Sequence, residues 1–463
     1  MLVSFAVAML AAFPLGLAGC SHEPSDPKPG LDSISAERMM AAIKTLSSDE
    51  FEGRAPGSKG EQLTIDYIQK QFREMGAEPG NPDGSYLQNV PFVGITPDPK
   101  MALSISGRGK PIKAVYQKDF MAWTQRMVES VKLDGDLVFV GYGVQAPEYQ
   151  WNDFKNADVK GKVVIVLVND PPVPDENMFG GKAMTYYGRW DYKYHKAAEM
   201  GAAGCFIVHE TDRAGYPWDV VAGSWSGTQF DLQSPDKNAG HLAVEGWITH
   251  EMAQQLFKAA GQDYEKLKAA AATREFQPVP LGMEAQLEIH NTLRTLDSHN
   301  VIAKRTGSDP KLKDQYVVFT AHWDHFGIGQ EVNGDRIYHG AKDNASGVAA
   351  LLEIARGYQQ LKVAPKRTIL FLAVTGEEQG LLGSQYYAEH PLYPIASTVA
   401  EINMDAMNVL GRTSDFVMIG LGKSTLDEVV ETVAKAQGRV VKGDQEPEKG
   451  FFYRSDHFSF AKE

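Results

Sequence analysis

The chain has 463 residues, 43% of them hydrophobic and 23% charged, enough for more than one packed core. Its formal net charge of -13 leaves no basic footprint for nucleic acid. Two cysteines, Cys20 and Cys205, exclude a disulfide-stapled scaffold.

The first predicted element is an apolar run over residues 2–18 in MLVSFAVAMLAAFPLGLAGC. It is short for a membrane span and closes on small residues. The stretch LAGC is similar to the lipobox of bacterial lipoproteins. That likeness implies a signal peptide over 1–19 and lipidation of Cys20, although the positive charge expected ahead of the apolar run is missing. A simple secreted signal is the alternative. Both place the mature chain outside the cytosol: in the periplasm, anchored at the outer membrane, or secreted. Membrane contact is expected only through the anchor at Cys20. A Pro- and Ser-rich tether, SHEPSDPKPG, follows and is assigned to 20–31.

Helical spacing of apolar residues begins near Ser33 and resumes in GEQLTIDYIQKQFREMG, after the Gly- and Pro-punctuated loop GRAPGSKG. Residues 90–130 alternate and break often, as strands do. From about residue 131 short β-rich runs, GDLVFVGYGV and GKVVIVLVND, precede a helix and a strand in KYHKAAEMGAAGCFIVHE. Cys205 in that run reads as a buried small hydrophobe. A further helical part is THEMAQQLFKAAGQDYEKLKAAA. The domains expected are 32–130, the N-terminal part of the main domain; 131–285, an inserted module; and 286–463, the remainder of the main domain. In this last part strands alternate with helices, which argues for a mostly parallel, mixed α/β sheet flanked by helices.

Each strand of the last part runs into a charged cluster. VVFT is followed by AHWDH, with His322, Asp324 and His325. GAKDNASG carries Asp343, TGEEQG carries Glu377 and Glu378, NMD carries Asp405, and SDH carries Asp456 and His457. Strand ends of an open α/β sheet share one rim, where sites form. Carboxylates gathered there need a compensating cation. Nitrogen and oxygen donors suit zinc, and manganese or cobalt also fit. His325 reads as a hydrogen-bonded or surface histidine. Ser346 reads as a cap or turn residue rather than a nucleophile. The stretch GIGQEVNGDRIYH between His322 and Asp343 reads as a lengthened loop.

The set AHWD, GAKDNASG, TGEEQG, NMD and SDHFSF resembles the M28 family of co-catalytic zinc aminopeptidases, in the subgroup with an inserted protease-associated domain. VKGKVVIV and KAAEMGAAGCFIV resemble that inserted domain. The resemblance implies a two-zinc exopeptidase acting on peptides with a free N-terminus. It implies Asp343 as the carboxylate bridging both metals, His322 and Asp405 on one, and Glu378 and His457 on the other. It makes Glu377 the general base and Asp324 the carboxylate that orients His322. It also implies a domain that continues past the final histidine, so 286–463 is expected to be truncated. A carboxypeptidase or dipeptidase of the same fold, or a non-catalytic exported binding protein, are the alternatives. Preferred residue and oligomeric state are not legible.

Overall fold

The computed structural model describes residues 26–463 except 108, 109, 174 and 176. The expected signal over 1–19 and Cys20 lie outside the described residues. Among the described residues no helix is long and apolar enough to cross a membrane.

One strand, Val279–Arg305, organises the rest. Its second half pairs antiparallel with Leu87–Pro97 and with Thr368–Val374. Its first half pairs antiparallel with Ser130–Phe139 and Ala102–Gly107. The boundary expected at 285/286 therefore falls inside a single strand that serves two layers of structure.

Around the second half, Thr368–Val374, Tyr316–His322 and Thr398–Asn403 run parallel, with Tyr316–His322 in the middle of the three. TILFLAV is buried at every position, so it shows a continuous apolar run instead of alternation. Its odd and even positions feed different cores. Ile369, Phe371 and Ala373 pack with Val348 and Leu351 of helix Ser346–Gln359. Leu370, Leu372 and Val374 pack with Tyr387 of helix Leu382–Glu389. This two-faced burial makes the layer a mixed α/β sheet flanked by helices. The N-terminal helices Ala36–Leu46 and Lys59–Glu74 are capped by Ser35 and Ser58, whose hydroxyls accept from Arg38 N and Glu61 N.

Around the first half of the long strand, the order is Ser130–Phe139, Val163–Leu167, Gly204–His209, Val244–Thr249 and Phe120–Trp123. Leu103, Ile105, Phe120 and Ala122 lie before the boundary expected at 131, yet pack in the same core as Leu133, Phe139 and Ile165. Their alternating apolar side chains find their partner face there, so the packed unit starts near residue 101. Residues 28–31 also depart from the expected tether. They open helix Lys28–Ser33, where Lys28 Nζ bonds Asp32 Oδ2 at 2.6 Å. Gly327–Val332 and Asp335–Tyr338 form a hairpin where a plain loop was expected.

Glu245 is a buried acid in this second unit, 1% exposed, accepting from Trp123 Nε1 at 3.2 Å. Burial pushes its carboxyl from 4.5 up to about 8, with Asp231 adding to the rise. The folded chain thus keeps a proton that the unfolded chain releases, and stability falls as pH rises across that window. Glu245→Gln retains an acceptor for Trp123 and removes the titration. Thermal melts at about pH 5.5 and 8.5 should show a smaller loss of stability in the variant, by about 1–3 kcal/mol. An identical loss in both proteins would refute this.

Candidate metal centre

Three parallel strands deliver the ionisable side chains at their carboxyl ends. His322 ends Tyr316–His322 and is fully buried. Its Nε2 lies 3.1 Å from Asp343 Oδ1, 3.3 Å from Asp405 Oδ1 and 3.9 Å from Glu377 Oε2. Two groups of donors result, His322 with Glu377 and Asp405, and His325 with Asp343 and Glu378, the atoms of each lying within 4.8 Å of one another. Asp343 joins the two through its approach to His322.

The loops are locked to one another. Asn344 Nδ2 donates to Met404 O at 2.9 Å, and its Oδ1 accepts from Gly347 N and Ala406 N. Ser346 Oγ accepts from Met407 N at 3.0 Å. The Asp343 and Asp405 loops are thereby held in register. Gly347 is required in this contact, since a Cβ there would stand 2.3 Å from Met404 O. Ser455 Oγ donates to Asp405 Oδ2 at 2.7 Å, fixing the second carboxylate oxygen.

Arg54, from GRAPGSKG, is buried completely. It donates to Trp323 O at 2.9 Å, Leu46 O at 2.6 Å, His339 O at 2.8 Å and Gly340 O at 2.8 Å. One guanidinium thus clamps the backbone on both sides of the His325 and Asp343 loops. Burial lowers it to about 10, against the pull of Asp324, Asp343 and Glu378, so it stays charged at neutral pH. Gly340 has φ +57°, and a Cβ there would meet Arg54 at 2.5 Å.

The electrostatics call for a cation. Burial alone would lower the His322 imidazole, but Glu377, Asp324, Asp343 and Asp405 raise it well above its usual value. Burial raises the Glu377 carboxyl well above normal, with Asp456, Glu378 and Asp405 adding repulsion. Burial also raises Glu378, against the His325 hydrogen bond. Asp343 Oδ1 and His457 Nε2 are buried without hydrogen-bond partners among the described residues. Burial lowers His457, favouring the neutral imidazole that ligates metal. Orphaned donor atoms beside crowded carboxylates are what divalent cations satisfy, so the donor set fits them.

The sequence-predicted residues fall in two sets. His322, Asp343, Glu377, Glu378 and Asp405 come together. His457 lines the same cleft but lies outside both groups. The histidine beside Glu378 is His325, with Nδ1 2.5 Å from Glu378 Oε1. Asp324 faces both His322 and the neighbouring loop. Its carboxylate is 3.7 Å from His322 Nδ1, while its backbone oxygen is at 3.2 Å. The carboxylate also accepts from Glu377 N at 3.1 Å and Glu378 N at 3.4 Å. Arg54 was missed as a site residue. Its only local signal was an arginine among turn-forming residues, and its acceptors at Trp323 and Gly340 are backbone carbonyls distant in sequence.

Residues 300–463 match Peptidase family M28. A probable leucine aminopeptidase 2 of Aspergillus oryzae is 26% identical over 364 residues, 78% of this chain and 56% of that protein. A probable zinc metalloprotease of Pyrenophora tritici-repentis is 29% identical over 225 residues, 47% of this chain and 42% of that protein. The chain spans about half the length of these curated relatives. An aminopeptidase from Aneurinibacillus sp. strain AM-1 superposes with TM-score 0.55 at 22% identity, covering 94% of this chain and 85% of that one. The mixed sheet and its flanking helices are therefore the fold of the M28 zinc peptidases, here with two adjoining donor groups.

Arg54→Met removes four hydrogen bonds to backbone carbonyls. It should destabilise the chain by about 3 kcal/mol or more. It should also weaken zinc binding at least tenfold in a chelator-competition titration, with Arg54→Lys recovering part of the loss. Unchanged zinc affinity in Arg54→Met would refute the clamp.

Proposed function

We propose that the chain is an exported zinc-dependent aminopeptidase, hydrolysing the N-terminal peptide bond of peptides. The observation that carries this is the pair of donor groups joined by Asp343 at the carboxyl edge of a parallel sheet. The ligands are assigned as Asp343 between two cations, His322 and Asp405 on one side, and Glu378 and His457 on the other. Burial without a partner at His457 Nε2 supports its inclusion. Zinc is the assigned metal, and manganese or cobalt fit the same nitrogen and oxygen donors.

When bound, a pair of such cations supplies a water of lowered pKa and a Lewis-acid partner for a carbonyl oxygen. The protein's own groups do the rest. Glu377 is 3.9 Å from His322 Nε2, farther than Asp343 or Asp405, which leaves its carboxylate free to act as general base. It accepts a proton from the attacking water and passes it to the leaving amine. Asp324 holds the Glu377 and Glu378 amides, fixing that carboxylate relative to its neighbour. The surrounding acids give a free α-amino group an electrostatic seat, which is where preference for an N-terminus arises.

The second unit, from about residue 101 to 285, is assigned as the protease-associated domain. It contributes Tyr186 and Trp190 to a cleft of about 2450 Å³ that also holds Glu377 and Asp405. The presence of Tyr186 and Trp190 in that cleft supports a role in limiting peptide length. Export and lipidation at Cys20 rest on the LAGC stretch.

Glu377→Gln should keep its zinc, read by atomic emission, and lose about 10²–10⁴-fold in kcat on leucine p-nitroanilide. Asp343→Ala should lose zinc as well as activity. N-acetylated substrate should resist the native enzyme. Full activity of Glu377→Gln, or equal cleavage of the blocked substrate, would contradict the assignment.

A further inference from the structure

We propose that Arg189 and Arg454 form a carboxylate site for the free C-terminus of a short peptide bound in the cleft of the metal centre. This deepens the peptidase reading above and rests on it.

Arg189 immediately precedes helix Trp190–Glu199, and its side chain is 12% exposed. Arg454 lies on the turn before helix His457–Ala461 and is half-buried. Both line the cleft that contains Glu377, Asp405 and His457. The Nε of each guanidinium is buried and without a hydrogen-bond partner among the described residues. The segments that carry them meet, with the rings of Tyr186 and Tyr453 6.0 Å apart, and burial together with the charge of Arg189 lowers Arg454 below its usual value.

One carboxylate stands close to the pair, and it does not satisfy it. Asp191 Oδ1 is 3.5 Å from Arg189 Nε, beyond a good hydrogen bond, and that oxygen is itself without a partner. Asp191 pairs loosely with Arg189, and Arg454 Nε has no partner among the described residues. Aromatic rings fix the guanidiniums. Arg189 Cζ is 5.6 Å from the Trp190 ring, and Arg454 Cζ is 5.9 Å from the Tyr216 ring and 5.7 Å from that of Phe451. Buried cations held by aromatics, with donors unspent, are built for an incoming anion. The planar guanidinium fork matches a carboxylate.

Distance sets the ligand's length. Arg454 and His457 are three residues apart in sequence, which limits their Cα separation to about 11 Å. An extended peptide covers about 3.5 Å per residue. A short peptide can then place its amine among the acids and its carboxylate on the arginines. A long peptide carries no charge at the position the arginines read.

The test compares Leu-Gly and Leu-Gly-Gly with their C-terminal amides and with Leu-Asp-amide, using zinc-loaded full chain. Free-acid peptides should be favoured over the amides by about 10- to 100-fold in kcat/KM, mainly through KM. In Arg454→Gln and in Arg189→Gln the acid-to-amide ratio should fall towards one, with Arg454→Lys retaining part of it. Thermal melts confirm that each variant is folded. Equal turnover of acids and amides, an unchanged ratio in both glutamine variants, or preference for Leu-Asp-amide over Leu-Gly would overturn the terminal-carboxylate site. If no peptide is cleaved, the peptidase reading fails, and calorimetric binding of acetyl-Gly-Gly against its amide decides this one. Tighter binding of the acid that is lost in Arg454→Gln supports the site, and equal binding overturns it.

Discussion

Four carboxylates converge on one buried imidazole. Asp324, Asp343, Glu377 and Asp405 all place an oxygen 3.1–3.9 Å from a ring nitrogen of His322. Glu377 and Asp405 approach within 4.8 Å of each other, a separation at which like charges repel by about 3 kcal/mol in a moderately polar surrounding. A protonated histidine offsets one such charge and no more. The arrangement persists because rigid strands deliver the side chains and because backbone clamps hold the loops. Arg54, Asn344 and Asp324 are those clamps, and each acts mainly on backbone atoms of the loops that carry the donors. A divalent cation at each donor group turns the repulsion into binding energy, so the same crowding that costs stability in its absence gives affinity.

The parallel strands explain why chemistry appears at this edge and nowhere else along them. Thr368–Val374 is apolar after its first residue and ends where the sheet stops, so the polar residues that follow it are presented at the rim. The long strand Val279–Arg305 then ties this rim to a second sheet whose aromatic side chains line the cleft. Acids crowd the donor groups of that cleft, and Arg189 and Arg454 also line it. A short zwitterion complements such a cleft.

Much of the centre was legible because local sequence and global fold agree. His322, Asp343, Glu377, Glu378 and Asp405 each follow an apolar run or a turn motif, so their shared rim follows from strand alternation with helices. Other features depend on contacts no short window contains. Arg54 reaches Trp323 and Gly340, more than 260 residues away, and nothing near Arg54 announces those acceptors. His325 sits next to a motif, and the turn after the strand, not its identity, brings it to Glu378. Leu103 and Ile105, ahead of the division expected at 131, look like any alternating strand. Only pairing with Val279–Arg305 assigns them to the second unit.

The central claim is that two cations share Asp343. Anomalous diffraction at the zinc edge, from crystals of the full chain grown with zinc, tests it directly. Two peaks should appear, one touching His322 and Asp405, the other touching Glu378 and a histidine, with Asp343 in contact with both. A single peak, or two peaks that do not share Asp343, would contradict it.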